Sequence, residues 1–365
     1  MKKLRPVLMF ILIIAVVLIC GCRKKHDDVP EQPLDTEIPV TAAPQPTQEP
    51  TPVPTATPDP NTLPYVFNDA SFEASFRQAY NINGEITKND MLGFTELEFP
   101  NCGLYDISDI AAFENLEYLR LSRNDITDIS LLSNLKKLER LDLSKNEISD
   151  LSPLSGLTAL KKLDIRENNI DSLSALSTLS GLTELNIQKN SVADISPIAA
   201  LTALEQLNIS ENPVASLEPA ASLSNLKQLN GWDIATDDIS AVASLENLEI
   251  LFLDGNGIKD ISALSGLKKL TVLSMQMNKI SNLAPLSELK TLRELYLEEN
   301  NISDLSPIAG LTGMETLNIA NNNISDASPL YGFKNLHEIY ISRGNPITKE
   351  EKAKLKEALP HTVVF

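Results

Sequence analysis

Apolar residues recur along most of the chain at a fixed spacing of 22 residues. The segment LERLDLSKNEISDLSPL, which starts at Leu138, shows one unit. Its alternating L-x-L predicts a short strand with inward-facing leucines. The Ser152-Pro153 pair that follows predicts a serine N-cap and a brief helical turn. About 12 such units in residues 96–345 predict an α/β repeat solenoid with one parallel sheet.

One polar position in the unit is asparagine nine times, at intervals of 22 or 44 residues: Asn124, Asn146, Asn168, Asn190, Asn212, Asn256, Asn278, Asn300 and Asn322. These ladder asparagines can pair with backbone groups of the turn that leaves the sheet. Cys102 falls in the same phase, so we expect a buried ladder residue there, not a nucleophile or a ligand. The consensus L-x-x-L-x-L-x-x-N resembles the leucine-rich repeat. That resemblance implies a horseshoe with a concave parallel sheet and short helical or 3-10 turns on its convex side.

Both ends of the repeat array carry a predicted cap. Residues 65–95 form the N-terminal one, in which Phe67, Phe72 and Phe76 share a helical face. Residues 346–365 form the C-terminal one, with a capping box of Thr348 and Glu351, a helix and a last extended segment. Terminal repeats need such covers because their apolar faces have no neighbour. A capped array is expected to be a monomer.

The N-terminus has the features of an export signal. Basic residues precede an apolar run over residues 7–19, which has the length of a secretory signal. The run ends in Ile19-Cys20-Gly21-Cys22, which resembles a bacterial lipobox. The resemblance implies a lipoprotein signal peptide at residues 1–21, lipidation of Cys22, and a location on the extracellular side of the bacterial membrane. Cys20 is a weaker candidate. An uncleaved membrane anchor is the alternative, favoured by the basic residues after Cys22.

A tether follows the lipidation site. Residues 22–64 contain eleven prolines among Thr, Ala, Gln, Asp and Glu, without apolar periodicity. Such a segment favours polyproline II and cannot bury a core, so we expect a disordered tether.

Composition excludes several classes of function. A formal net charge of −18 argues against nucleic-acid binding, and three histidines leave little for His-based catalysis or metal binding. The chain is therefore expected to be a non-enzyme without cofactor or metal. Glu298 and Glu299 are a carboxylate pair, but adjacent strand residues point apart. Aspartates four residues after most ladder positions could form a calcium ladder, although turn and cap roles explain them as well: Asp128, Asp150, Asp194, Asp238, Asp260, Asp304 and Asp326.

The cap that ends in GEITKNDMLGFTEL, the 22-residue units with D-I-S-P-L, and the GNPIT-helix-ALP ending resemble the internalin-type leucine-rich-repeat family. The resemblance covers residues 65–365 and implies binding of a protein partner through the concave sheet. We expect the chain to differ from well-known members in having no immunoglobulin-like domain after the repeats.

Outward-facing strand positions predict two candidate ligand-binding patches on this concave face. The basic one includes Arg120, Arg140 and Lys162, although the interspersed Asp142 and Asp164 could simply pair with it. The apolar one, inside a rim of carboxylates, comprises Ile250, Phe252, Val272, Met277, Tyr296 and Tyr340. Aromatic anchors within a polar rim are typical of a protein-binding site, although strands favour such residues anyway.

One unit departs from the consensus, with Gly231 and Ile234 in place of the second leucine and the asparagine. By register Trp232 faces outward beside Phe252, whereas a bulge at Gly231 would turn it into the core.

The leading interpretation is a membrane-anchored extracellular protein that binds another protein, from the host or from the same cell. The alternatives are an envelope-organising spacer and a lipoprotein that binds glycans or cell wall.

Overall fold

The computed structural model describes residues 59–365. In this part of the chain, 13 strands form one sheet in which each strand pairs with the next along the sequence. The strands are β1 Glu96–Glu98, β2 Tyr118–Arg120, β3 Arg140–Asp142, β4 Lys162–Asp164, β5 Glu184–Asn186, β6 Gln206–Asn208, β7 Gln228–Asn230, β8 Ile250–Phe252, β9 Val272–Ser274, β10 Glu294–Tyr296, β11 Thr316–Asn318, β12 Glu338–Tyr340 and β13 Val363–Val364. All pairs are parallel, and repeat strands align residues 22 apart, such as Leu119 with Leu141. The predicted repeat solenoid is confirmed.

The helices are short and lie between or beyond the strands. The α-helices of the described part are α1 Ala70–Tyr80, α2 Lys88–Met91 and α3 Lys349–Ala358. One 3-10 helix follows each strand from β1 to β11, namely Ser108–Ala112, Ser130–Asn134, Ser152–Leu154, Ser174–Thr178, Ser196–Ala200, Glu218–Ser222, Ser240–Ser244, Ser262–Gly266, Ala284–Leu286, Ser306–Ile308 and Ser328–Leu330. Another, Pro60–Thr62, lies in the last residues assigned to the tether. Cys22 and the predicted signal peptide lie outside the described residues.

The core is a stack of aliphatic side chains between the sheet and the 3-10 helices. In the unit that begins at Leu138, the inward residues are at most 3% exposed: Leu138, Leu141, Leu143, Ile148, Leu151, Leu154 and Leu157. Full burial of one such side chain stabilises the fold by roughly 1.5–3 kcal/mol. Because each unit repeats this set, neighbouring units bury one continuous core.

Ladder asparagines join each unit to the one before it. Asn212 Nδ2 donates to the Ile187 carbonyl, 25 residues earlier, over 2.9 Å and to the Ile209 carbonyl over 3.1 Å. Its Oδ1 accepts from the Val192 N–H over 3.1 Å. The other eight ladder asparagines donate to the carbonyl at the same offset. One side-chain amide thus satisfies buried backbone groups of two units at the turn where the chain leaves the sheet.

Cys102 is exposed, which corrects the expectation that it is buried. Its backbone N–H donates to Asn124 Oδ1 over 2.9 Å, so it lies in the ladder register. A ladder residue is enclosed by the turn of the preceding unit. Cys102 follows β1, the first strand of the sheet, and therefore has no preceding repeat to cover it.

The serines that precede prolines do not cap the turns as predicted. Ser152 is the first residue of its 3-10 helix, and its N–H donates to Asp150 Oδ1 over 2.8 Å. The Ser306 N–H donates in the same way to Asp304 Oδ1 over 2.8 Å. Each of these aspartates also accepts from the serine hydroxyl, and the hydroxyl and N–H hydrogen bonds together hold the pKa of Asp150 and of Asp304 below the ordinary value. The aspartate column therefore organises the turns.

The irregular unit keeps its register without a bulge. The Gly231 N–H donates to the Phe252 carbonyl over 2.8 Å, as in regular units. A Cβ on Gly231 would lie 3.1 Å from Ile234 Cδ1 and 3.2 Å from Leu253 Cδ2. Ile234, which is fully buried, thus fills the space of the missing leucine. In a regular unit, an asparagine at position 234 would accept from the Val214 N–H. Here that N–H donates instead to the Asn212 carbonyl over 2.8 Å.

An aromatic cluster closes the N-terminal end of the core. Phe72 and Phe76 of α1 are fully buried, and the Phe76 ring lies 5.2 Å from that of Phe113. Phe67 precedes α1, so the three phenylalanines are not on one helical face as predicted, yet its ring lies 6.0 Å from Phe76. A buried carboxylate fastens this cap, because Asp109 accepts from Tyr65 Oη over 2.9 Å.

At the C-terminal end, only half of the predicted capping box forms. Thr348 Oγ1 accepts from the Glu351 N–H over 3.1 Å. The Glu351 carboxylate accepts instead from the Ala327 N–H over 3.2 Å and from Tyr331 Oη over 2.7 Å. It therefore ties α3 to the last unit. Within residues 59–365, no helix has the length and apolarity needed to cross a bilayer.

We expect Asn212→Ala to lower the free energy of unfolding by about 2–4 kcal/mol, because it leaves buried backbone groups of two units unpaired. Chemical denaturation followed by circular dichroism measures the loss. Cys102→Ala is the matched control, since it changes the same register position where it is exposed, and should shift stability by less than about 0.5 kcal/mol. Equal effects of the two substitutions would contradict the role of the ladder amide.

Candidate binding surface on the concave face

Three columns of outward side chains run across the sheet. The first and second columns are the first and third residues of each repeat strand, and the third column is the residue two positions later. The third column stays in register beyond the strands, since the Asp233 N–H donates to the Asp254 carbonyl and the Gly255 N–H to the Gln276 carbonyl, both over 2.9 Å. Within one column, the side chains of neighbouring strands therefore lie about 4.8 Å apart.

Five apolar side chains, four on strands β8 to β10 and one just after β7, form what we call the apolar patch: Trp232, Ile250, Phe252, Val272 and Tyr296. Ile250 pairs with Val272 in the first column, and in the second column Ser274 lies between Phe252 and Tyr296. All five members are partly exposed, whereas Ser274 is fully buried. The patch is thus continuous across neighbouring strands.

Trp232 occupies the third column and faces outward. It is partly exposed, and its backbone N–H donates to Ser210 Oγ over 3.2 Å. Its carbonyl accepts from the Glu211 N–H over 2.9 Å, as expected for the regular register. The alternative in which a bulge turns Trp232 into the core is therefore wrong.

Met277 and Tyr340, which the sequence predicts to belong to the same surface, lie outside the apolar patch. Met277 is 56% exposed and has a positive φ of 52°, one position beyond the third column. Tyr340 stacks on Phe365, with ring centroids 4.5 Å apart and planes inclined by 10°. Asn318 separates Tyr340 from Tyr296 in the second column. Tyr340 thus belongs to the C-terminal cap, not to the contiguous apolar surface.

A polar cluster lies beside the patch. The Asp254 carboxylate, 8% exposed, accepts from Ser274 Oγ and from the Gln276 N–H, both over 2.6 Å. Burial raises the pKa of Asp254 above its ordinary value, while these hydrogen bonds act in the opposite direction. Asp254 and Gln276 belong to the third column. The sequence indicated Asp254 as part of the carboxylate rim, whereas Gln276 would have been located only by extending the 22-residue register past each strand.

The basic candidates are all engaged with carboxylates. Arg120 Nη1 lies 3.4 Å from Glu98 Oε2, and its Nε lies 3.3 Å from Asp142 Oδ2. Lys162 Nζ lies 2.6 Å from Glu184 Oε1. The third candidate, Arg140, approaches the carboxylate of Glu96 at 3.6 Å and lies over the ring of Tyr118 at 4.9 Å. The interspersed acids therefore do pair with the basic stretch.

Among the described residues, no group of three or more His, Cys, Asp or Glu side chains could hold a metal ion.

The fold and its outward columns define a leucine-rich-repeat protein. A family model described as leucine-rich repeats in two copies matches residues 114–156, 136–178, 158–200, 180–222, 246–288, 290–332 and 312–354. No curated protein matches the sequence.

Solved structures identify the branch of the family. An internalin (inlF) from Listeria monocytogenes is 32% identical over 83% of this chain and 91% of its own, with a TM-score of 0.80. The leucine-rich-repeat protein LIC12759 of Leptospira interrogans, at 19% identity over 76% and 97% of the two chains and a TM-score of 0.51, shares the fold. The plant peptide hormone receptor RGFR1, solved in complex with RGF2, also shares the fold. It is 18% identical over 76% of this chain and 52% of its own, with a TM-score of 0.56. The chain belongs to the internalin-like leucine-rich-repeat family.

A pH-dependent test follows from Asp164, in the second column. Burial raises the pKa of this carboxyl from 3.8 to about 6. The native state therefore holds the proton more tightly than the unfolded chain, and stability falls as pH rises through this interval. Asp164→Asn should stabilise the protein above about pH 6 by about 1–3 kcal/mol, and this gain should disappear below about pH 4.

Thermal unfolding of both proteins across this pH range measures the difference. The asparagine fits, because Asn186 and Asn208 accept the equivalent backbone hydrogen bond over 3.1 Å in the next two units. The measurement at low pH is the internal control. A gain of the same size at every pH would contradict the raised pKa.

Proposed function

We propose that this chain is an exported, membrane-anchored protein that acts as a monomer and binds a protein partner through the apolar patch. One observation carries the proposal: five apolar side chains remain partly exposed together on adjacent strands. Contiguous exposed apolar surface with aromatic anchors is the usual composition of a protein-binding site. Leucine-rich-repeat proteins are typically non-enzymatic scaffolds that mediate protein–protein interactions, as the receptor solved with RGF2 illustrates.

The aromatic members of the patch provide the test of this proposal. The full chain, purified in detergent, and a Phe252→Ala/Tyr296→Ala variant are each used as bait for extracts of bacterial envelope and of host-cell surface. We expect a protein that the native chain retains and that the variant loses by about tenfold or more, because aromatic anchors dominate binding energy. The extract that supplies it tells whether the ligand is self or host.

Tyr118→Ala is the matched control, because Tyr118 is a partly exposed tyrosine of the same face, on β2 outside the patch. It should retain the partner. Equal capture by all three baits would contradict binding at the patch. Signal on a glycan array that Phe252→Ala/Tyr296→Ala abolishes, without protein capture, would support the glycan-binding alternative. No ligand in either assay would support the spacer.

The membrane attachment is proposed from the sequence around Cys22. We expect cells that express the full chain to incorporate labelled fatty acid into it, and Cys22→Ala to abolish the label, because Cys22 carries the acyl groups. Firm attachment requires more than one acyl chain. Cys20→Ala is the matched control and should remain labelled. An unlabelled native chain that keeps its N-terminal residues by mass spectrometry would instead establish the uncleaved anchor.

A further inference from the structure

Charges on the outward face differ between the two ends of the sheet. From β1 to β5, the three columns contain five carboxylates, and every one lies within 4.0 Å of a cationic side chain: Glu96, Glu98, Asp142, Asp164 and Glu184. The four cations of these columns, Arg120, Arg140, Lys162 and Arg166, thus offset all but one of the five negative charges.

From β6 to β12, the same columns hold four carboxylates and no Lys or Arg: Asp254, Glu294, Glu298 and Glu338. Within the described residues, none of the four takes part in an ion pair, and the side chains and backbone groups that donate hydrogen bonds to them are neutral. Glu294 accepts from Tyr296 Oη over 2.8 Å, and Glu298 accepts from Asn318 Nδ2 over 3.0 Å. The negative charge on this part of the face therefore remains uncompensated.

Asp254, Glu294 and Glu298 lie directly beside members of the apolar patch, whereas Glu338 lies two strands away from it on β12. In an extended chain, residues two apart point to the same side, about 6.6 Å from each other. Glu294, Tyr296 and Glu298 thus stand in a row on the outward face, as do Ile250, Phe252 and Asp254. A ligand that covers the tyrosine also covers both glutamates. Removing a carboxylate from water without supplying a counter-charge is energetically unfavourable.

We propose that the partner docks with a basic segment, in which an apolar side chain that covers Tyr296 and Phe252 is flanked by Lys or Arg residues that pair with Glu294 and Glu298. This inference rests on the proposed function and adds the chemistry of the ligand. A neutral or acidic apolar ligand would leave the two glutamates buried and unpaired. The cations of a basic ligand pair with the two glutamates, so they favour this ligand over neutral or acidic ones and accelerate its association.

Selection from a phage-displayed library of short random peptides on the full chain in detergent tests the inference. Recovered peptides are synthesised, and their affinities are measured for the native chain, for Phe252→Ala/Tyr296→Ala and for Glu294→Gln/Glu298→Gln. Glu98→Gln/Glu184→Gln is the matched control, since it removes the same charge from glutamates that already have cationic partners. Circular dichroism verifies that each variant is folded.

We expect peptides that depend on Phe252 and Tyr296 to contain more Lys and Arg than Asp and Glu. Glu294→Gln/Glu298→Gln should weaken them by about tenfold or more, and the control pair by less than about twofold. Higher salt, which shortens the Debye length from about 10 Å at 0.1 M to about 3 Å at 1 M, should weaken them too.

The failures of the two proposals are distinguishable. Peptides lost by Phe252→Ala/Tyr296→Ala but unaffected by Glu294→Gln/Glu298→Gln would overturn the charge inference and leave the site in place. Equal losses in both glutamine variants would mean general attraction to an acidic protein and would also overturn it. A library that yields no peptide dependent on Phe252 and Tyr296 would contradict the proposed binding site itself.

Discussion

The side-chain amide of the ladder asparagine is the interaction on which the architecture depends. Where the chain leaves the sheet, its backbone groups are buried and cannot reach water, so they require a partner within the protein. Asn212 supplies that partner for the carbonyls of Ile187 and Ile209 and for the Val192 N–H. Because this amide spans two units at a fixed offset, it stabilises the strand register and therefore the order of the outward columns that could bind a partner.

Most of the fold could be predicted because its interactions are local and repeated. Leu141 and Asn146 occupy one environment that recurs with the period, so one unit predicts its neighbours. The ends could not be predicted in the same way, because a terminal unit has a cap on one side instead of another repeat. Cys102 has the ladder register without a preceding repeat, and the Glu351 carboxylate bonds to Ala327 and Tyr331 rather than completing a box. A sequence pattern indicates a position, but not which neighbour a flexible side chain reaches.

The candidate site could be predicted in outline for the same reason. Register placed Ile250, Phe252 and Val272 on the outward face, where the structure has them partly exposed. Whether Arg120 stood free or paired depended on side-chain distances that a pattern does not contain. Asp254 has its role because Ser274 and Gln276 donate to it from the next unit. The charge difference between the two ends of the sheet emerges only after such pairings are known.

The self-contained repair of the irregular unit has a consequence for how such a protein can evolve. Ile234 fills the gap over Gly231 from within the same unit. Every unit therefore presents neighbours with the same kind of surface, whether or not it carries the asparagine. Unequal recombination of the gene could add or remove one whole unit and leave the remaining contacts intact. Each such event between the N-terminal cap and β8 would change the distance from that cap to Phe252 by about 4.8 Å, so the number of repeats would set this distance in the inherited sequence.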